Sequence, residues 1–166
     1  MEEGSSMSKR KPLLALFMFI SLLFGCQSDS EDFTMLASEK TLPNNFEEIA
    51  YTYGTETILA RKAADQAAFD KNWRLYELKQ AQPDVDFDEH DVFFIGVYES
   101  GSCASEITRV ELNEDRTTMT IPITGPDGAK ACTSNATHRT FVIQLEKELT
   151  ENVKDLVIED TNVPFE

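Results

Sequence analysis

The residues able to do chemistry in this 166-residue chain are two histidines, three cysteines and 30 carboxylates. Asp84, Asp86 and Asp88 alternate as the opening ligands of an EF-hand loop do. Such a loop needs Gly at its sixth position and a bidentate Glu at its twelfth. Those places hold Glu89 and Ile95, so the run reads as a solvated approach to a strand, and no metal site is assigned. His90 and His138 stand far apart, in no ligand spacing such as HExxH. Ser100, Ser102 and Ser105 lie in no G-x-S-x-G elbow, and no Gly-rich phosphate loop is present. With so many acids, some carboxylate pair is always at hand, so glycosidase-type pairing has no weight. A hydrolase would need a buried nucleophile within hydrogen-bond reach of His90 or His138. No catalytic residue and no cofactor are assigned.

Cys26 has the most specific surroundings. It ends the run Leu13-Leu14-Ala15-Leu16-Phe17-Met18-Phe19-Ile20-Ser21-Leu22-Leu23-Phe24-Gly25, which follows the basic stub Lys9-Arg10-Lys11. A basic n-region, an apolar h-region and a small residue before the cut are the parts of a secretory signal. Gly25-Cys26 resembles a bacterial lipobox, although Phe24 is bulkier than the residue usual two places before the Cys. The resemblance implies that residues 1–25 are removed and that Cys26 carries lipid as the new N-terminus. An uncleaved anchor is the rival reading, but residues 13–26 are short against the about 20 that a spanning helix needs. Met1-Glu2-Glu3 puts acid ahead of the basic stub, so Met7 is read as the start of the signal.

Residues 1–25 hold three of the 15 bases and two of the 30 acids, which leaves 12 against 28 and a net charge of −16 on the exported part. Such a surface repels nucleic acid and an anionic membrane and favours solubility. With Cys26 lipidated, Cys103 and Cys132 remain, in a compartment where disulfides persist. A Cys103–Cys132 bridge is predicted. Closing its loop stabilises the fold by roughly 3–4 kcal/mol in the chain-entropy account. A metal-holding thiol pair and a redox pair are the alternatives, and neither has a CxxC nearby.

The elements that must position these groups follow from periodicity. Residues 26–45 begin polar and acidic and read as a flexible tether, with the folded domain at 46–166. Ile49, Tyr51 and Tyr53 alternate as a half-buried strand does, and Thr57–Ala60 is a second strand. Asp65 is a plausible N-cap for a helix over 65–78, whose Phe69, Trp73 and Tyr76 form one aromatic stripe packed on a sheet. Val92–Tyr98 is apolar and β-branched or aromatic almost throughout, so it is a central strand covered on both faces. Ile107–Leu112, Thr118–Ile123 and Arg139–Glu146 are further strands. Asn113–Arg116 and Gly125-Pro126-Asp127-Gly128 are turns. Pro122 lacks an N–H and places its strand at an edge or beside a bulge. Val153–Ile158 is a last strand, with helix as its competitor. The fold class is α+β: a single antiparallel β-sheet of about six strands with one helix packed across it.

Glu99-Ser100-Gly101-Ser102-Cys103-Ala104-Ser105 follows the central strand directly. Its small polar residues and bridge end make it a pinned loop, of the kind that often presents a binding surface. Ala131-Cys132-Thr133-Ser134-Asn135-Ala136-Thr137 is alike, and the bridge brings the two together. Ser100, Gly101, Ser102, Ser105, Thr133 and Asn135 are the candidate binding residues. The plain alternative is that the bridge only staples a long loop.

The order of pieces over roughly residues 56–146 resembles the PrcB C-terminal domain, found in exported proteins named for association with a surface protease complex. The resemblance rests on the strand and aromatic helix (Ile58 to Leu78) and on Val85-Asp86-Phe87 ahead of the apolar strand. Glu106-Ile107-Thr108-Arg109-Val110-Glu111-Leu112 after the turn completes it. Where that family has a Thr-Gly-Gly-Tyr-like turn, this chain has Ser100-Gly101-Ser102-Cys103. Only Gly101 carries over, read as a backbone-geometry residue. The resemblance implies non-catalytic accessory binding and transfers no catalytic residue. The expectation is therefore a lipoprotein on the extracytoplasmic face of a bacterial membrane, held through Cys26, that binds another envelope or secreted protein. A surface receptor for a small ligand or cation is the alternative, and a hydrolase a weaker one.

Overall fold

The computed structural model describes residues 1, 30–125 and 132–165. Cys26, the apolar run at 13–25 and the turn residues Pro126-Asp127-Gly128 lie outside the described residues. Among those described, the elements run β1 Ser30–Glu31, β2 Thr34–Glu39, α1 Phe46–Tyr53, β3 Ile58–Ala63, α2 Gln66–Leu75, β4 His90–Ser100, β5 Glu106–Ile107, β6 Val110–Leu112, β7 Thr118–Ile121, β8 Ile123–Thr124, β9 Ala136–Glu146, α3 Lys147–Thr150, β10 Asp155–Ile158 and β11 Thr161–Val163. No helix among them is long and apolar enough to cross a membrane.

The expectation of a single antiparallel sheet under one helix is overturned. Among the described residues there are three sheets, ordered β1-β6-β7-β10-β11, β2-β9-β4-β3 and β5-β8. The four-stranded sheet is the middle layer, and its two faces carry separate cores. On one face Phe93, Ile95, Phe141 and Ile143 meet Val110, Met119, Ile121 and Leu156 of the five-stranded sheet. On the other, Leu59, Phe94 and Val142 meet Phe46 and Ala50 of α1 and Phe69, Trp73 and Tyr76 of the α2 segment. Two breaks in the chain set apart the two-stranded sheet. Residues 107–112 divide between β5 and β6, and Pro122, with no N–H for a ladder, separates β7 from β8. β7 is an interior strand rather than an edge, because β6 pairs on one side and β10, running parallel with Leu156 opposite Met119, on the other.

Strand β4 is the central strand that its composition implies. Its residues 91–97 are buried, with successive side chains entering opposite cores. It pairs with β9 over its full length, from His90 opposite Glu146 to Ser100 opposite Ala136. Helix α2 also follows its sequence signals. Asp65 accepts the Ala68 N–H at 2.7 Å as an N-cap, and the Tyr76 hydroxyl donates to the carbonyls of Leu59 at 3.0 Å and Phe94 at 3.4 Å. The final segment is strand at 155–158, with the short α3 ahead of it.

Two local expectations are corrected. Residues 46–53 are helix, not strand: Phe46 and Ala50, one turn apart, are buried, while Tyr51 is 80% exposed. The alternation of Ile49, Tyr51 and Tyr53 does not mark a buried face. Residues 34–39, expected in a tether, form β2 on the edge of the middle sheet, with Ala37 buried. The register of β2 against β9 shifts between Met35 and Ala37, as at a β-bulge. Folded structure therefore begins well before residue 46.

Candidate functional site

The two loops proposed from sequence meet at the end of the β4–β9 pair. Cys103 and Cys132 are joined by a disulfide, their Cα atoms 5.7 Å apart. Three hydrogen bonds reinforce it across the junction. Ser100 Oγ donates to the Thr133 carbonyl at 2.8 Å, Thr133 N–H to Ser102 Oγ at 2.9 Å, and Gly101 N–H to the Asn135 carbonyl at 2.9 Å. At Gly101 a Cβ would stand 2.2 Å from Nδ2 of the exposed Asn135 side chain, which would have to swing aside. No left-handed backbone is involved. Ser105 turns inward, its N–H donating to Glu99 Oε2 at 2.8 Å. The candidate binding residues are thus brought together, and several spend their polar groups on one another. Ala104 and Ser134 are left facing solvent at the loop tips.

Beneath the loops lies a buried ion pair. Arg139 donates from Nε to Glu99 Oε2 at 2.9 Å and from Nη2 to Oε1 at 2.8 Å. Burial pushes the Glu99 carboxyl up, but the Arg139 and Ser105 hydrogen bonds and the charges of Arg139 and Lys40 outweigh it and hold the group below the usual range.

On the helix side of the same sheet end is an open cleft of about 540 Å³. Tyr98 and His138, register partners on β4 and β9, stand on one wall with ring centroids 5.8 Å apart. Phe46 packs edge-on against Tyr98 at 5.2 Å. Burial, then the neighbouring Glu47 carboxylate, pushes the Tyr98 phenol up. The chain from Lys40 through Glu48 supplies the rim, and Glu77 and Lys79 close the far side. Asn44 donates to Glu77 and ties the two sides together. Sequence reasoning missed this cleft. Tyr98 reads there only as strand and His138 as a strand-end residue, and the lining comes from four stretches with no shared spacing.

The remaining candidates have ordinary surroundings. Asp86 Oδ1 accepts the Asp88 N–H at 3.0 Å and its carbonyl accepts the His90 N–H at 2.9 Å, which turns the chain into β4. His90 Nδ1 lies 3.2 Å from the same carbonyl. No group of three or more metal-ligating side chains occurs among the described residues. Comparison of the chain with protein-family models, curated proteins and solved structures finds no match.

Proposed function

We propose that this chain is a non-catalytic binding domain, held by lipid on Cys26 at the extracytoplasmic face of a bacterial membrane, that docks another envelope or secreted protein. A protease complex is the partner class that the PrcB resemblance suggests. The observation that supports docking is the loop pair, fixed by a disulfide and three hydrogen bonds at one end of a rigid sheet. Loops locked before binding lose little conformational entropy on contact, so a small surface suffices. Anchoring concentrates both partners in one layer and offsets weak affinity.

Cross-linking of intact cells expressing the tagged full chain, followed by mass spectrometry, tests the reading. The control replaces the solvent-facing tips, Ala104→Arg with Ser134→Arg, and leaves the junction hydrogen bonds in place. A partner captured by the parent and lost from the control supports docking through the loops. The same capture by both proteins moves the interface elsewhere, and no specific capture sinks the reading.

The cleft supports a second reading, a receptor for a small ligand. Its volume lies within the range of small-molecule sites, and an aromatic wall meets several convergent polar groups there.

A further inference from the structure

The chemistry of the cleft wall restricts what fits it. Lys40 and Lys79 bring positive charge, while Glu47, Glu48 and Glu77 bring negative charge. An anion therefore meets carboxylates, a cation meets ammonium groups, and a hydrocarbon displaces water from these exposed charges without replacing its hydrogen bonds. A hydroxyl both donates and accepts, so it pairs with carboxylate, ammonium and the Asn45 amide alike. The Tyr98 ring, half-buried and braced by Phe46 and His138, presents an aromatic surface on which the C–H face of a sugar ring can pack. Thr41 also lines the cleft, but its Oγ1 is buried and has no hydrogen-bond partner.

We propose that this cleft binds a neutral oligosaccharide, with Tyr98 stacking on a sugar ring and Asn45, Lys79 and the cleft carboxylates bonding its hydroxyls. The proposal rests on the second reading above, of the cleft as a ligand site. The wall is organised in advance: the Glu39 carboxylate accepts the backbone N–H groups of Lys79 and Gln80 at 3.0 to 3.2 Å, and Asn44 is bound to Glu77. Little side-chain ordering is then left to oppose a weakly bound polar ligand.

The full chain in detergent is titrated with chitotriose and maltotriose, and separately with succinate and a neutral tripeptide. The His138 ring resonances are followed by NMR. Saturable shifts with at least one sugar, and weaker binding by about tenfold on Tyr98→Ala, are the expected result. Asn45→Ala guards against a folding defect in that variant, because the Asn45 side chain makes no capping bond to α1; it too must weaken the sugar. Shifts with succinate or tripeptide but with neither sugar overturn the ligand class and leave the cleft as a ligand site. No shift with any of the four overturns the cleft reading itself.

Discussion

Arg139 grips Glu99 through two parallel hydrogen bonds of 2.9 and 2.8 Å, directly under the loop that the Cys103–Cys132 bridge fastens. The Glu99 side chain has no exposed surface and that of Arg139 is 10% exposed. A third carboxylate bond, from Ser105 N–H, carries the loop itself. The ion pair is thus the floor on which the candidate docking loop stands.

Removing one partner of such a pair leaves a buried charge without compensation. Arg139→Met should destabilise the protein by about 3–5 kcal/mol. Arg139→Met with Glu99→Gln should recover part of that loss. Urea unfolding of the two variants measures the difference, and equal losses in both would show that the pair contributes through packing alone.

The pair also sets a pH dependence. The folded carboxyl of Glu99 titrates below its unfolded counterpart, so the stability it contributes is present above the unfolded pKa and is lost as pH falls through the lowered folded value. In Arg139→Met the lowering by the Arg139 hydrogen bonds and charge is gone while burial still raises the folded value, so Glu99 loses less stability, or none, on acidification. Melting temperatures from pH 7 down to pH 3 should therefore converge for parent and variant. A constant gap across that range would refute the linkage.

Gly96 sits in β4 under the helix layer. A Cβ there would come 2.7 Å from Leu42 Cδ2 and 3.0 Å from Tyr76 Cε1. Gly96→Ala should cost about 1–3 kcal/mol through overpacking. Because Leu42 and Phe46 belong to the stretch that forms the cleft rim, His138 and Tyr98 resonances should shift as well. Unchanged stability would mean that the layer yields freely at this point.

Cys103 and Cys132 should react with a thiol reagent only after reduction. Replacing both with Ala should cost roughly 3–4 kcal/mol and leave the core intact, since the bridge lies at the sheet end and outside both apolar clusters. Amide exchange should then accelerate at 100–105 and 132–137 more than in β4. Two titratable thiols from this pair in the unreduced protein would contradict the bridge.

Strand β4 and helix α2 were legible because each carries its evidence within a few residues. An apolar stretch without alternation marks a strand with both faces covered, and Asp65 ahead of Phe69, Trp73 and Tyr76 marks a capped helix with one buried stripe. The parity of the two cysteines that remain once Cys26 is set aside pointed to the bridge. Helix α1 was not legible: three residues alternated by accident, and burial of Phe46 depends on Tyr98, which lies far along the chain.

By itself the sequence determined which segments are apolar, where two elements begin and the excess of acid over base, and it pointed to a Cys103–Cys132 pair that the structure then joined. Tertiary structure alone decided that the described residues form three sheets, that β7 takes the parallel partner β10, and that residues 40–48, 77, 79, 98 and 138 line one open cleft. The reason is physical. Local periodicity reports that a face must be covered, but which distant segment covers it is set by packing between elements, and a concave polar surface leaves no period in the chain.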